Sequence, residues 1–185
     1  MTPSNVKRTV RRALTLAAVL ALGTATAKDE ERPYLFLRTP QNAFTVQVTG
    51  KDITSADFQL SHDGKSLRGR AFDQVVFLSL GEDTVGGTVG SQLARLRLQD
   101  KDGTTQVKGN FMGSLVDFSV GPQGLTGVLG RCGYELKAHA NGLYEGSRSC
   151  GGIPQRPVLL SIPENLTQQG TPLTVATLAM LLGNV

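Results

Sequence analysis

Six apolar-x-Gly triplets recur along the chain at nearly constant spacing, and that period limits what the chain can fold into. They are Val48-Thr49-Gly50, Leu67-Arg68-Gly69, Val85-Gly86-Gly87, Val107-Lys108-Gly109, Leu125-Thr126-Gly127 and Tyr144-Glu145-Gly146. Their final glycines lie 19, 18, 22, 18 and 19 residues apart. A fixed period of this length marks one supersecondary unit repeated along the chain. Each unit carries a second alternating segment, at residues 56–60, 75–80, 94–99, 115–120 and 134–138. Turn-forming residues separate the segments: Asp63-Gly64, Glu82-Asp83, Asp102-Gly103, Pro122-Gln123-Gly124 and Asn141-Gly142. Short apolar/polar alternation bounded by such dipeptides reads as strands joined by hairpins. With 22 glycines and no tryptophan, the composition also favours short strands and tight turns over a helical bundle.

Two architectures share this period, a β-solenoid and an antiparallel meander. The only two cysteines help to choose between them. If residues 140–142 form a three-residue hairpin loop, paired positions sum to 282, so Cys132 faces Cys150 and His139 faces Leu143. Opposed cysteines in an antiparallel pair lie within disulfide reach. A solenoid also brings the two together, but it leaves the Asx-Gly turns without hairpins. The expectation is therefore an all-β antiparallel meander of about 12 short strands, forming a curved sheet or barrel, with the solenoid as alternative.

Parity separates two faces. Phe44, Val46, Val48, Phe58, Leu60, Val76, Leu78, Leu80, Leu96, Leu98, Val116, Phe118, Val120, Tyr134 and Leu136 should face a core. Arg68, Arg70, Arg95, Arg97, Lys108, Asp117, Glu135 and Lys137 should face water. The repeated glycines fall on the apolar face, where they serve tight curvature or leave room for a guest. Thr171-Pro172 followed by LTVATLAMLL and Gly183 predicts a helix over 172–182, covering one end or face of the sheet. Before it, a last strand runs from Val158 to Ile162, with loops on either side.

The N-terminus reads as an address. Lys7, Arg8, Arg11 and Arg12 precede an apolar run, Ala13 to Leu22, and Ala25-Thr26-Ala27 fits a cleavage site. Residues 1–27 are therefore expected to be a signal peptide, 28–33 a mobile charged leader, and 34–185 a single domain. Val10 before the paired arginines favours ordinary secretion over the twin-arginine route. Removing the signal peptide's four basic residues from the 19 in the chain leaves 15, against 15 acidic residues. A neutral chain offers no phosphate-tracking stripe, so nucleic-acid binding loses its electrostatic basis. No segment of the mature chain is long enough for a transmembrane helix. The short segments and sparse aromatics also disfavour a transmembrane barrel.

Chemistry is poorly represented. His62 and His139 flank hairpin turns without the spacing of a metal motif, and their plain reading is two exposed histidines; a weak site with Asp63 is the alternative. Ser147 and Ser149 sit in no nucleophile elbow. Asp63, Glu82, Asp83, Asp100 and Asp102 are accounted for as turn formers. Asn165-Leu166-Thr167 is a glycosylation sequon. No catalytic, cofactor or metal residues are assigned; Cys132 and Cys150 are assigned as a structural disulfide.

The leading expectation is an exported, non-enzymatic structural or interaction protein of a cell envelope or extracellular assembly. Its contact surfaces are expected at edge strands and the apolar helix. Two alternatives are a carrier holding a small apolar ligand in a barrel, and an unrecognised enzyme or metalloprotein.

Overall fold

The computed structural model describes residues 34–184. The signal peptide at 1–27 and the leader at 28–33 lie outside the described residues. The described residues form fourteen strands, β1 Tyr34–Arg38, β2 Ala43–Val48, β3 Asp52–Thr54, β4 Phe58–His62, β5 Ser66–Ala71, β6 Gln74–Leu80 and β7 Thr84–Val89 making the first half. The second half is β8 Gln92–Lys101, β9 Thr104–Phe111, β10 Ser114–Gly121, β11 Gly124–Leu129, β12 Cys132–Ala138, β13 Leu143–Cys150 and β14 Ile153–Ser161. Two helices follow, α1 Glu164–Thr167 and α2 Thr171–Gly183.

Each strand pairs antiparallel with its neighbours in sequence, and β1 pairs with β14 to close a barrel. The meander is therefore correct, and the solenoid is not. The two strands beyond the expected dozen are β1 and the three-residue β3. The register of β12 and β13 sets Cys132 opposite Cys150, and the two are disulfide-bonded. The His139 backbone N–H donates to the Leu143 carbonyl oxygen, and the loop Ala140–Gly142 is one 3-10 turn with Asn141 left-handed. Closing a loop of this size by a disulfide contributes about 3 kcal/mol through chain entropy.

The predicted core positions point into the barrel, with Phe44 and Val120 only partly buried, and the predicted charged face points outward. Charges at mid-wall, among them Lys108 and Asp117 in a 3.7 Å ion pair, reverse the pattern of a lipid-facing wall.

Helix α2 departs from expectation in place, not in existence. Every residue from Leu173 to Leu182 is buried, and the helix lies against β7, β9 and β11. A helix apolar on all sides must be surrounded on all sides. It therefore occupies the lumen and does not cover an end or face of the sheet. Strand number explains why. Side chains alone fill a barrel of about eight strands, whereas fourteen enclose a wider space. A helix about 10 Å across supplies the missing volume. Thr174 and Thr177 bury their hydroxyls by donating to carbonyls at Gly170 and Leu173, so no polar group is stranded along the rod.

The recurrent glycines answer a second constraint. A Cβ on Gly69 would overlap the carbonyl oxygen of Gln59 on β4, and φ there is +137°. The same overlap with the preceding strand recurs at Gly87, Gly109, Gly127 and Gly146. The glycines thus let adjacent strands approach where the wall bends. Gly50 is the exception: it lies in the exposed β2–β3 turn with open space around it, not mid-strand.

Strand β14 also begins earlier than expected, at Ile153, and includes Pro154 and Pro157. Its pairs with β1 involve only Leu159, Leu160 and Ser161. Ile153, Pro154, Gln155 and Val158 pair with β13 but not with β1, and Arg156 and Pro157 fall at a register irregularity; an open side and an irregularity are where proline is tolerated in a sheet.

Candidate functional site

Closure removes most of the sheet edge that was expected to carry contacts, leaving only the first part of β14 unpaired on one side, and enclosure removes the helix. The lumen that a carrier would need holds α2. What remains is the outer wall and the two ends, and the ends differ sharply.

One end gathers the turns after β2, β4, β6, β8, β10 and β12. Lys51, Asp63, Lys65, Glu82, Asp83, Lys101 and Asp102 stand in or beside these turns. Asp63 shows their role: its Oδ1 accepts the Lys65 and Ser66 backbone N–H groups at 2.9 and 2.6 Å. Those bonds hold its carboxyl below the usual range, with the Ser66 hydroxyl and Arg68 assisting. A depressed folded pKa stabilises above the unfolded value and is lost as pH falls through the folded one. Protection of the Lys65 and Ser66 amides from hydrogen exchange is therefore expected to fall in acid, and Asp63→Asn should flatten that dependence. Helix α1 seats at this end as well, with Asn165 Nδ2 donating to the Val48 carbonyl at 2.7 Å. That nitrogen is the atom a glycan would take, and the fold commits it to the rim.

The opposite end gathers the turns after β1, β3, β5, β7, β9, β11 and β13, and the C-terminus of α2. Its turns are Thr39–Asn42, Ser55–Asp57, Phe72-Asp73, Gly90-Ser91, Met112-Gly113, Gly130-Arg131 and Gly151-Gly152. No lysine or glutamate stands in these turns or at the outward positions beside them. Outward-facing apolar side chains concentrate here: Val75, Phe77, Leu93, Leu115, Val128 and Ile153. Leu93, Leu115 and Ile153 are 70%, 63% and 67% exposed, far beyond what wall packing requires. Phe72 and Met112 hold positive φ at turn tips, uncommon for bulky residues, and fold partly over the rim. Phe72 meets Phe44 and Phe58 edge-on at 5.7 and 5.1 Å. The charged groups in and beside these turns are Arg38, Asp57, Arg70, Asp73 and Arg131. Arg70 pairs with Asp73 at 3.6 Å; Arg38 and Arg131 make no ion pair among the described residues.

Inside this smooth end a buried polar group ties the helix down. The Tyr134 hydroxyl donates to the Leu182 carbonyl oxygen at 2.8 Å, and Arg148, 3% exposed, donates from Nε to Gln155 Oε1 at 2.5 Å. Burial raises the Tyr134 phenol, against a hydrogen bond and charge from Arg148 that lower it. A cation near a helix C-terminus offsets the dipole's negative end, and the arrangement includes no nucleophile paired with a base. It is an anchor. A cavity of about 100 Å³ lies beside it, lined by Phe111, Met112, Val116, Leu129, Ala179 and their neighbours.

The two histidines are not brought into a metal centre. His139 is exposed, 3.9 Å from Glu145. His62 is not exposed as expected: it follows the parity of Phe58 and Leu60, points inward, and both ring nitrogens are buried without a hydrogen-bond partner in the structure. No group of three or more metal-ligating side chains occurs among the described residues.

The described residues form a helix-filled, fourteen-strand antiparallel barrel whose exposed apolar side chains concentrate at one end. No protein-family model matches it, and neither characterised proteins nor solved structures compared with it give a match.

Proposed function

We propose that this protein is an exported, non-enzymatic interaction component of a cell envelope or extracellular assembly, and that it makes its contact through the smooth end. The observation that carries this reading is the ring of exposed apolar side chains at one end of an otherwise charged barrel. Large exposed apolar surface is a cost that folding alone does not require, and it marks contact surfaces. The signal-peptide pattern at residues 1–27 and the disulfide support export, since disulfides persist in oxidising compartments. A rigid, filled interior suits a scaffold; with α2 seated, a guest has no lumen to enter.

The test is the pair Leu93→Ser and Leu115→Ser, made together. Both side chains are exposed, so stability should change by no more than about 0.5 kcal/mol for each. The protein is expected to move from the envelope fraction of its native host to the soluble fraction. An unchanged distribution at unchanged stability rejects the smooth end as the contact surface.

A further inference from the structure

The smooth end, taken as the contact surface, has a shape that selects its partner. We propose that it seats on the headgroup region of an anionic lipid bilayer, with the barrel standing end-on. The exposed apolar residues are spread from β6 to β14, around more than half of the wall. Neighbouring strands are about 4.8 Å apart, so a docked peptide or helix covers only two or three of them. A plane meeting the end of the cylinder reaches all of them but Phe77 at once.

Depth agrees with this geometry. Phe77 aside, the apolar side chains lie one or two residues from their turns, which places them within about 5–10 Å of the tip, the depth at which interfacial elements rest in a bilayer. Lys108, Asp117 and Glu135, four residues from their turns and level with Phe77, lie further up the wall and stay in water. Chemistry agrees as well. Arg38 and Arg131 offer guanidinium groups for lipid phosphate, and arginine stems can lie along apolar surface while their heads stay hydrated. The turns themselves carry few ionic groups, so little charge is stripped of water on docking.

The absence of tryptophan from the chain makes a direct test possible. Leu93→Trp places a single reporter at the smooth end; Gln123→Trp places one in a turn at the charged end. Each full chain is mixed with vesicles of phosphatidylglycerol and phosphatidylcholine carrying brominated acyl chains, and with vesicles of phosphatidylcholine alone. The expected result is a blue shift and bromine quenching for Leu93→Trp on the anionic vesicles, reduced by salt, with no response from Gln123→Trp. Arg38→Gln with Arg131→Gln should weaken binding by about tenfold or more. Silence at Leu93→Trp, or equal responses from both reporters, overturns the proposal. If vesicles fail while Leu93→Ser/Leu115→Ser still leaves the envelope fraction, the smooth end remains the contact surface and its partner is a protein. If both experiments fail, the contact surface is lost too.

Discussion

Replacing Leu178 by arginine is expected to abolish cooperative folding. Leu178 is fully buried at mid-helix, within a wall whose inward positions are mostly apolar and whose buried charge, Arg148, is itself a cation. A guanidinium there has no counter-charge to meet, and an unpaired buried charge costs several kcal/mol even after relaxation. Domains of this size are stable by about 5–15 kcal/mol, so one such change removes most of the margin. Leu178→Ala, which only empties space, should cost about 2–5 kcal/mol and leave a measurable urea transition. Leu93→Arg, the same chemistry on the outer wall, should leave that transition in place. Urea unfolding of the three variants decides whether the helix is enclosed: if Leu178→Arg unfolds as cooperatively as Leu93→Arg, the helix is not inside the barrel.

The second large effect lies in the wall. Gly69→Ala is expected to cost about 3 kcal/mol or more, because the new methyl must displace the β4 backbone while φ stays in a region costly for any residue but glycine. Gly50→Ala should be neutral or slightly stabilising, since its surroundings are open and its φ is not in the left-handed region. The two glycines are successive members of the same sequence repeat, so thermal unfolding of this pair separates sequence periodicity from structural need. Equal effects at both would mean that close strand approach is not what the glycines serve.

The wall was legible because its signals are local. Parity along each strand assigned faces correctly from Val46 to Leu136, and the Asn141-Gly142 turn set the register that joins Cys132 to Cys150. The position of α2 was harder, because enclosure is a property of the closed barrel and belongs to no single segment. One clue was present: LTVATLAMLL has no polar stripe, and a helix covering a sheet needs one. His62 shows the opposite error. Its place beside Asp63-Gly64 suggested exposure, yet its parity with Phe58 and Leu60 already pointed inward. The smooth end could not be read from composition at all. Turns alternate between ends, so Phe72, Gly90, Met112, Gly130 and Gly151 become neighbours only after the chain is known to zigzag without interruption.

The prolines of β14 have a consequence for the moment before closure. Until β1 and β14 meet, the meander is an open ribbon, and its two outer margins invite other molecules of the same kind to attach and propagate. Pro154 and Pro157 remove two N–H donors from the strand that forms one of those margins. An unfinished ribbon is thereby steered toward joining its own far side and away from growing into fibrils.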